Sequence, residues 1–331
     1  MAKQTLPKRK GHKRRSTLIK GLLVGGAAVG LPALANALIA RRNERLAEPL
    51  WGRHHRFAWT YGEIAFQRLG RGRPLLLLHS FGPGHDGEEW RSAGEQLADD
   101  HLVYVPDLLG WGRSDKPRMT YDGELYIQML GDFIEDVVGD RCTVVGAGLA
   151  AAYAVQVAVD HPELIESLAL VVPSGIEVYS DEPDIKDALA NRFLRLPIFG
   201  TSVLNLLTSR TAMGKYLRRE VFLGPEQVDA ARVEHHYRSS HQPGSHEALA
   251  AYLSGYLNHP VHEALSRLNQ PLWIGWGRNA TTPPVADADL WKLRAPEARL
   301  EIFERSGNLP HLEVSARFVQ RLKPFLGDAR V

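Results

Sequence analysis

Six short apolar runs constrain this chain more than any other feature: LLLLHS (75–80), LVYVPD (102–107), TVVGAG (143–148), SLALVVPS (167–174), LWIGWG (272–277) and LEIFERSG (300–307). They are short and nearly continuous in apolar character, the pattern of strands covered on both faces of a parallel sheet. Between them lie stretches with helical spacing near 88–98, 122–138, 149–160, 285–293 and 312–325. Strand–helix alternation of this kind predicts an α/β fold, a mostly parallel doubly wound sheet with right-handed crossovers. Ahead of it, 56–62 and 63–70 alternate and are split by Gly62, which predicts a hairpin. One connection is out of scale: about 100 residues separate 167–174 from 272–277, too many for a structureless loop in a compact domain. It holds the helical patterns DALANRFLRL, TSVLNLLTS, EQVDAARVEHHYRSS and HEALAAYLSGYLN. Residues 176–270 are therefore expected to form a helical cap inserted into a core of 55–175 and 271–328.

The 331-residue chain has a formal net charge of +2, and the excess sits at one end. Residues 1–20 form a basic tail, from Lys3 to Lys20 with no acid, so the remainder is net acidic and unsuited to nucleic acid. Residues 21–40 carry no charge and only Asn36 is clearly polar. At 1.5 Å per residue, about 20 such residues cross a hydrocarbon core of roughly 30 Å. With basic residues massed before the span, the positive-inside bias predicts a single-pass anchor in the cytoplasmic membrane, N-terminus inside and body outside. A polar linker, 41–54, would follow. A cleaved signal peptide fits as well, with Pro32 and then Ala33-Leu34-Ala35 or Ala35-Asn36-Ala37 as the small-residue site, and the body is then secreted. Arg14-Arg15 also has the look of a twin-arginine signal, although Thr17 stands where a large apolar residue is wanted. The lone cysteine, Cys142, excludes an intrachain disulfide and reads as a small core residue.

Four segments, in this order and on these elements, resemble the α/β-hydrolase superfamily in its branch with a helical cap between strands six and seven. LLLLHSFGPG is similar to the loop after strand three, with Ser80 where glycine is usual. VPDLLGWGRSDKP is similar to the family's D-x-x-G-x-G-x-S segment, here Asp107, Gly110, Gly112 and Ser114. WIGWGRNATTPP is similar to the W-G-x-x-D segment that carries the catalytic acid. SGNLPHLE is similar to the segment that carries the catalytic histidine, with Asn308 in place of its first histidine. The resemblance implies a Ser–acid–His triad in that chain order, with the serine at the G-x-S-x-G elbow. Here the elbow is Gly146-Ala147-Gly148-Leu149-Ala150. The serine position is Gly148, the acid position is Ala280, and only His311 is retained.

A serine hydroxyl needs a base to take its proton and the base needs an acid to orient it, so this double loss predicts a pseudoenzyme. The backbone N–H groups of Phe81 and Leu149 are expected to survive as oxyanion-type donors, able to bind a small apolar carbonyl compound. The leading expectation is a membrane-anchored binding or interaction subunit, with a membrane protein or such a ligand as partner. The alternative is a hydrolase of esters, epoxides or related small apolar substrates, using His311 with a water or a non-standard nucleophile. Ser80 and Ser174 are the candidate replacement nucleophiles, and Glu177 is the nearest carboxylate for a replaced acid. Ser80 reads more simply as a turn residue. His235, His236, His241 and His246 match no metal-ligand spacing and are expected as surface or interface histidines, so no metal and no cofactor is expected. Tyr237, Tyr252 and Tyr256 could roof a pocket. The apolar stretch Phe193–Phe199 in the cap would face a substrate tunnel, the bilayer or a partner.

Overall fold

The computed structural model describes residues 29–49 and 51–328. Strands β1 (Arg53–Trp59) and β2 (Gly62–Gly70) form the expected antiparallel hairpin, with Trp59 opposite Gly62. β2 runs antiparallel to β4 (His101–Pro106). From β4 onward the sheet is parallel through β3 (Arg73–Leu78), β5 (Cys142–Ala147), β6 (Ile165–Val171), β7 (Leu272–Gly277) and β8 (Arg299–Phe303). The strand order is β1-β2-β4-β3-β5-β6-β7-β8. β5 and β7 are buried at every position, as runs without alternation require, whereas the edge strand β8 is mostly half-exposed. Cys142 opens β5 in the core, where burial pushes its thiol up to about 12.

Helices α2 (Arg91–Leu97) and α13 (Ser315–Asp328) pack together, as do α3 (Gly123–Phe133) and α4 (Leu149–Asp160). α3 continues into a wider turn over 134–138 that Gly139 ends at φ 67°. α11 (Asp287–Arg294) and the four-residue α12 (Pro310–Glu313) complete the core. β6 stops at Val171, short of the predicted 174: Val172 turns to φ 45° and Pro173 has no N–H to extend the ladder.

Between β6 and β7 come α5 (Ile185–Leu194), α6 (Phe199–Leu207), α7 (Arg210–Tyr216), α8 (Ala230–Ser240), α9 (Ser245–Leu253) and α10 (His262–Arg267). α7 has no counterpart among the sequence-based helices, and α10 packs on α4. An apolar cluster and an ion pair help fix the cap to the core. Met213, Leu217, Val221, Phe222 and Val228 of the cap share an apolar cluster with Leu309 of the core. The carboxylate of Asp86 lies 2.9 Å from His235 Nε2 on α8.

A helix, α1, covers residues 29–42; the rest of the expected anchor, 21–28, lies outside the described residues. Among those described, no helix is long and apolar enough to cross a membrane. The segment 41–54, expected as a polar linker, is strapped across the junction of cap and core. The Leu46 N–H donates to Gln242 Oε1, Arg113 Nε donates to the Ala47 carbonyl, and buried Trp51 donates its indole N–H to Glu88. Each of these bonds satisfies a polar group that a segment lying against protein cannot leave to water.

Candidate functional site

The elbow falls where β5 hands over to α4. Gly148 adopts φ 58° and ψ −122°, a conformation that favours glycine. Its N–H donates to Val171 O at 2.9 Å, and its carbonyl accepts from Ser174 N–H at 3.1 Å, so the turn is braced against the end of β6. Above it lies a cavity of about 140 Å³ lined by Ser80, Phe81, His85, Gly148, Leu149, Val172, Ser174, Tyr179, Tyr216, Glu220, Val221, Tyr252, Thr282, Asn308 and Leu309. Cavities near 150 Å³ hold a guest the size of one aromatic ring. Leu149 opens α4, so its N–H has no carbonyl one turn back to bond and the helix presents its positive end to the cavity.

The retained histidine does not face this space. His311 is wholly buried, stacks on Trp90 with ring centroids 3.9 Å apart, and is absent from the cavity lining. Its Nε2 lies 3.3 Å from Glu89 Oε1 but off the hydrogen-bond direction, so both ring nitrogens lack a directed partner. Ala280, where the sequence resemblance expects the acid, is buried and carries no acceptor for the imidazole. Asn308 accepts from the Thr281 N–H at 2.8 Å and donates to Glu220 O at 2.9 Å, tying the histidine loop to the Ala280 loop and to the cap.

The polar chemistry of the cavity comes from another set of residues. Ser80, expected as a turn residue, is the centre of a buried chain. Its hydroxyl lies 2.8 Å from Glu89 Oε2 and 2.8 Å from His85 Nδ1, and its N–H donates to Glu89 Oε1 at 2.7 Å. His85 Nε2 meets the Tyr216 hydroxyl at 3.0 Å. One consistent assignment runs Tyr216 O–H to His85 Nε2, His85 Nδ1–H to Ser80 Oγ, and Ser80 O–H to the carboxylate, which only accepts. Burial alone would raise Glu89; the close approach of the His311 and His85 rings outweighs it and holds the carboxyl well below the usual range. Burial pushes the Tyr216 hydroxyl far up, so it stays protonated as a donor.

This chain is not a displaced triad. A triad histidine bridges nucleophile and acid through different nitrogens. His85 meets Ser80 and Glu89 through the same atom, Nδ1, at 2.8 and 3.1 Å. The proton of Ser80 points at a carboxylate too acidic to be a strong base. In that assignment the protons of Tyr216, His85 and Ser80 are all committed within the chain, so the donors left for a carbonyl or carboxylate oxygen are the N–H groups at the start of α4.

The other sequence candidates separate. Phe81 and Leu149, expected as backbone donors, line the cavity. Ser174 lines it too, and its backbone braces the elbow. Glu177 is exposed, lies outside the lining, and so is no replacement acid. The cap histidines do not sit together on the surface: His236 and His241 are buried, and His235 pairs with Asp86. Among the described residues no group of side chains could hold a metal. His85, Glu89 and Tyr216 were not singled out by sequence. The one local signal was the i, i+4 spacing of His85 and Glu89 just after Ser80.

The alpha/beta hydrolase family model matches residues 75–321. An uncharacterized protein of Mycobacterium tuberculosis is 28% identical over 276 residues, covering 79% of this chain and 77% of its own. A pimeloyl-[acyl-carrier protein] methyl ester esterase of Aeromonas hydrophila is 24% identical over 265 residues, covering 80% of this chain and 99% of its own. A crystal structure of a membrane phospholipase A superposes with a TM-score of 0.68 at 22% identity, covering 96% of this chain and 99% of that one. The parallel sheet, the elbow after its central strand, the cap between β6 and β7 and the family match over most of the chain agree: this protein belongs to the α/β-hydrolase family.

Proposed function

We propose that this protein is a non-hydrolytic member of its family, a binding or interaction subunit held at the outer face of the cytoplasmic membrane. In this reading it takes a small, mostly apolar carbonyl or carboxylate compound into the cavity beneath the cap. The observation that carries the reading is the pairing at the elbow. Gly148 supplies no nucleophile, while His311 is buried against Trp90 and Glu89 rather than turned to the cavity. The cavity itself persists, with the end of α4 placed to hold an oxygen, the Tyr216–His85–Ser80 chain as a polar wall, and apolar walls from Phe81, Val172 and Val221. The uncharged segment 21–40 between basic flanks supports the anchor.

A second reading, hydrolysis through Ser80, rests on one observation. Ser80 lines the same cavity, and its Cβ lies 3.6 Å from where a Cβ on residue 148 would stand. The named relatives include an esterase, which favours testing it. The full chain in detergent should be assayed against esters, lactones and epoxides beside Ser80→Ala and His311→Ala. No turnover above the variants is expected. Turnover that Ser80→Ala abolishes would replace the first reading with the second. Isothermal titration with short aliphatic and aromatic carboxylates and ketones tests binding directly, and heat that Val221→Phe, which fills part of the cavity, reduces is the expected result.

A further inference from the structure

Helix α5 is turned inside out for a helix of a water-soluble cap. It buries Asn191, which donates to Ser254, and exposes Ile185, Leu189 and Phe193, spaced four apart on one face. Ile185 and Leu189 are 77% and 64% exposed. α6 continues the pattern with Leu206 and Leu207 in solvent, at 71% and 51%. An amphipathic helix ordinarily lays its apolar face on the core. An exposed face of this extent needs a cover.

The covering medium is indicated by α1 and by charge. Asn36, the polar residue in the uncharged run, is not left bare. Its amide donates to Ile198 O at 2.9 Å and accepts from Asn205 Nδ2 at 2.9 Å, both at the start of or within α6. α1 and α6 are therefore held level with each other. Asn36 stands four residues before Ala40, about 6 Å along a helix axis at 1.5 Å per residue. If residues 21–40 lie in lipid, α6 is drawn roughly that far below the hydrocarbon boundary, within the ~5–10 Å at which interfacial helices ride. Along the apolar face, residues 181–220 hold Lys186, Arg192, Arg195, Arg210, Lys215, Arg218 and Arg219 against Asp181, Glu182, Asp184, Asp187 and Glu220, a small basic excess, and Arg195 and Arg210 are paired with Glu247 and Glu234. An apolar face with a small basic excess beside it suits acyl chains beneath anionic headgroups.

We propose that the cap is seated in the lipid interface beside the N-terminal helix, with α5 and α6 dipping their apolar side chains among the acyl chains of an anionic bilayer. This rests on the reading of residues 21–40 as an anchor, and the test separates the two. The full chain would be labelled with a nitroxide at Leu189→Cys, Leu34→Cys or Leu293→Cys, Cys142 being buried, and reconstituted into phosphatidylcholine–phosphatidylglycerol vesicles. Collision with oxygen is compared with collision with a water-soluble nickel chelate. The oxygen-to-nickel ratio at residue 189 should approach that at residue 34. It should exceed severalfold that at residue 293, an exposed position on α11. A water-like ratio at 189 with a lipid-like one at 34 overturns the seating and leaves the anchor standing. Shielding of 189 from both reagents overturns it in favour of a protein partner or a second copy. A water-like ratio at 34 as well overturns the anchor and the seating together.

Discussion

At the scale of single residues, the site turns on what a side chain would meet. A Cβ on Gly148 meets only Ser80 Cβ at 3.6 Å, so space is not the obstacle; the left-handed φ of 58° is. Gly148→Ala should therefore cost about 1–3 kcal/mol by chemical denaturation, the usual cost of a non-glycine residue in such a conformation. Gly277 presents the opposite case. A Cβ there would run into the Gly307 carbonyl oxygen, a backbone atom that cannot swing aside, so Gly277→Ala should shift the denaturation midpoint far more than Gly148→Ala. Gly148→Ser with Ala280→Asp restores two triad side chains, yet Nε2 of His311 still faces Glu89. Ester turnover should stay low in that double variant and rise when Glu89→Gln is added, read as kcat with an activated ester. The sequence showed the losses at 148 and 280 because each falls within a local motif. It could not show the chain Tyr216–His85–Ser80–Glu89, since Tyr216 reaches His85 from the cap, 131 positions away. Nor could it show that His311 turns from the cavity, which is set by stacking on Trp90.

At the scale of elements, the strand-to-helix handover at β5 and α4 was legible almost to the residue, because hydrophobic period and glycine placement change together there. The cap was legible as helices but not in its faces: α5 buries Asn191 and exposes its aliphatic side, against the rule by which helices are read. The Asp86–His235 latch between the loop after β3 and α8 makes the cap sensitive to pH. Arg113 also faces Asp86, at 3.9 Å. Burial would raise Asp86, but His235 and Arg113 together hold it far below 3.8, so its contribution is present above that pH and fails only in strong acid. The charge of Asp86 outweighs desolvation and raises His235 above 6.5. A raised histidine stabilises fully below its unfolded pKa and loses that stabilisation as pH rises through its folded one. Thermal stability should thus fall between mildly acid and alkaline pH. In His235→Gln, differential scanning fluorimetry should show that part of the slope gone.

At the scale of the whole molecule, three features converge on one place: the elbow at the head of the parallel strands, the cap locked over it through Leu309 and His235, and the strap from 43 to 49 along their seam. The strap makes the N-terminal segment part of the folded body rather than a tether, so removing the bonds at Gln242 should loosen the cap. Gln242→Ala should raise amide hydrogen exchange in α8 and α9 while leaving β5 and α4 unchanged. The buried thiol of Cys142 has a consequence for where such a molecule can be made. Its one cysteine is sealed at the start of the central strand and held protonated, so the fold neither awaits oxidation nor is threatened by it. The native state is thus the same in a reducing compartment as in an oxidising one.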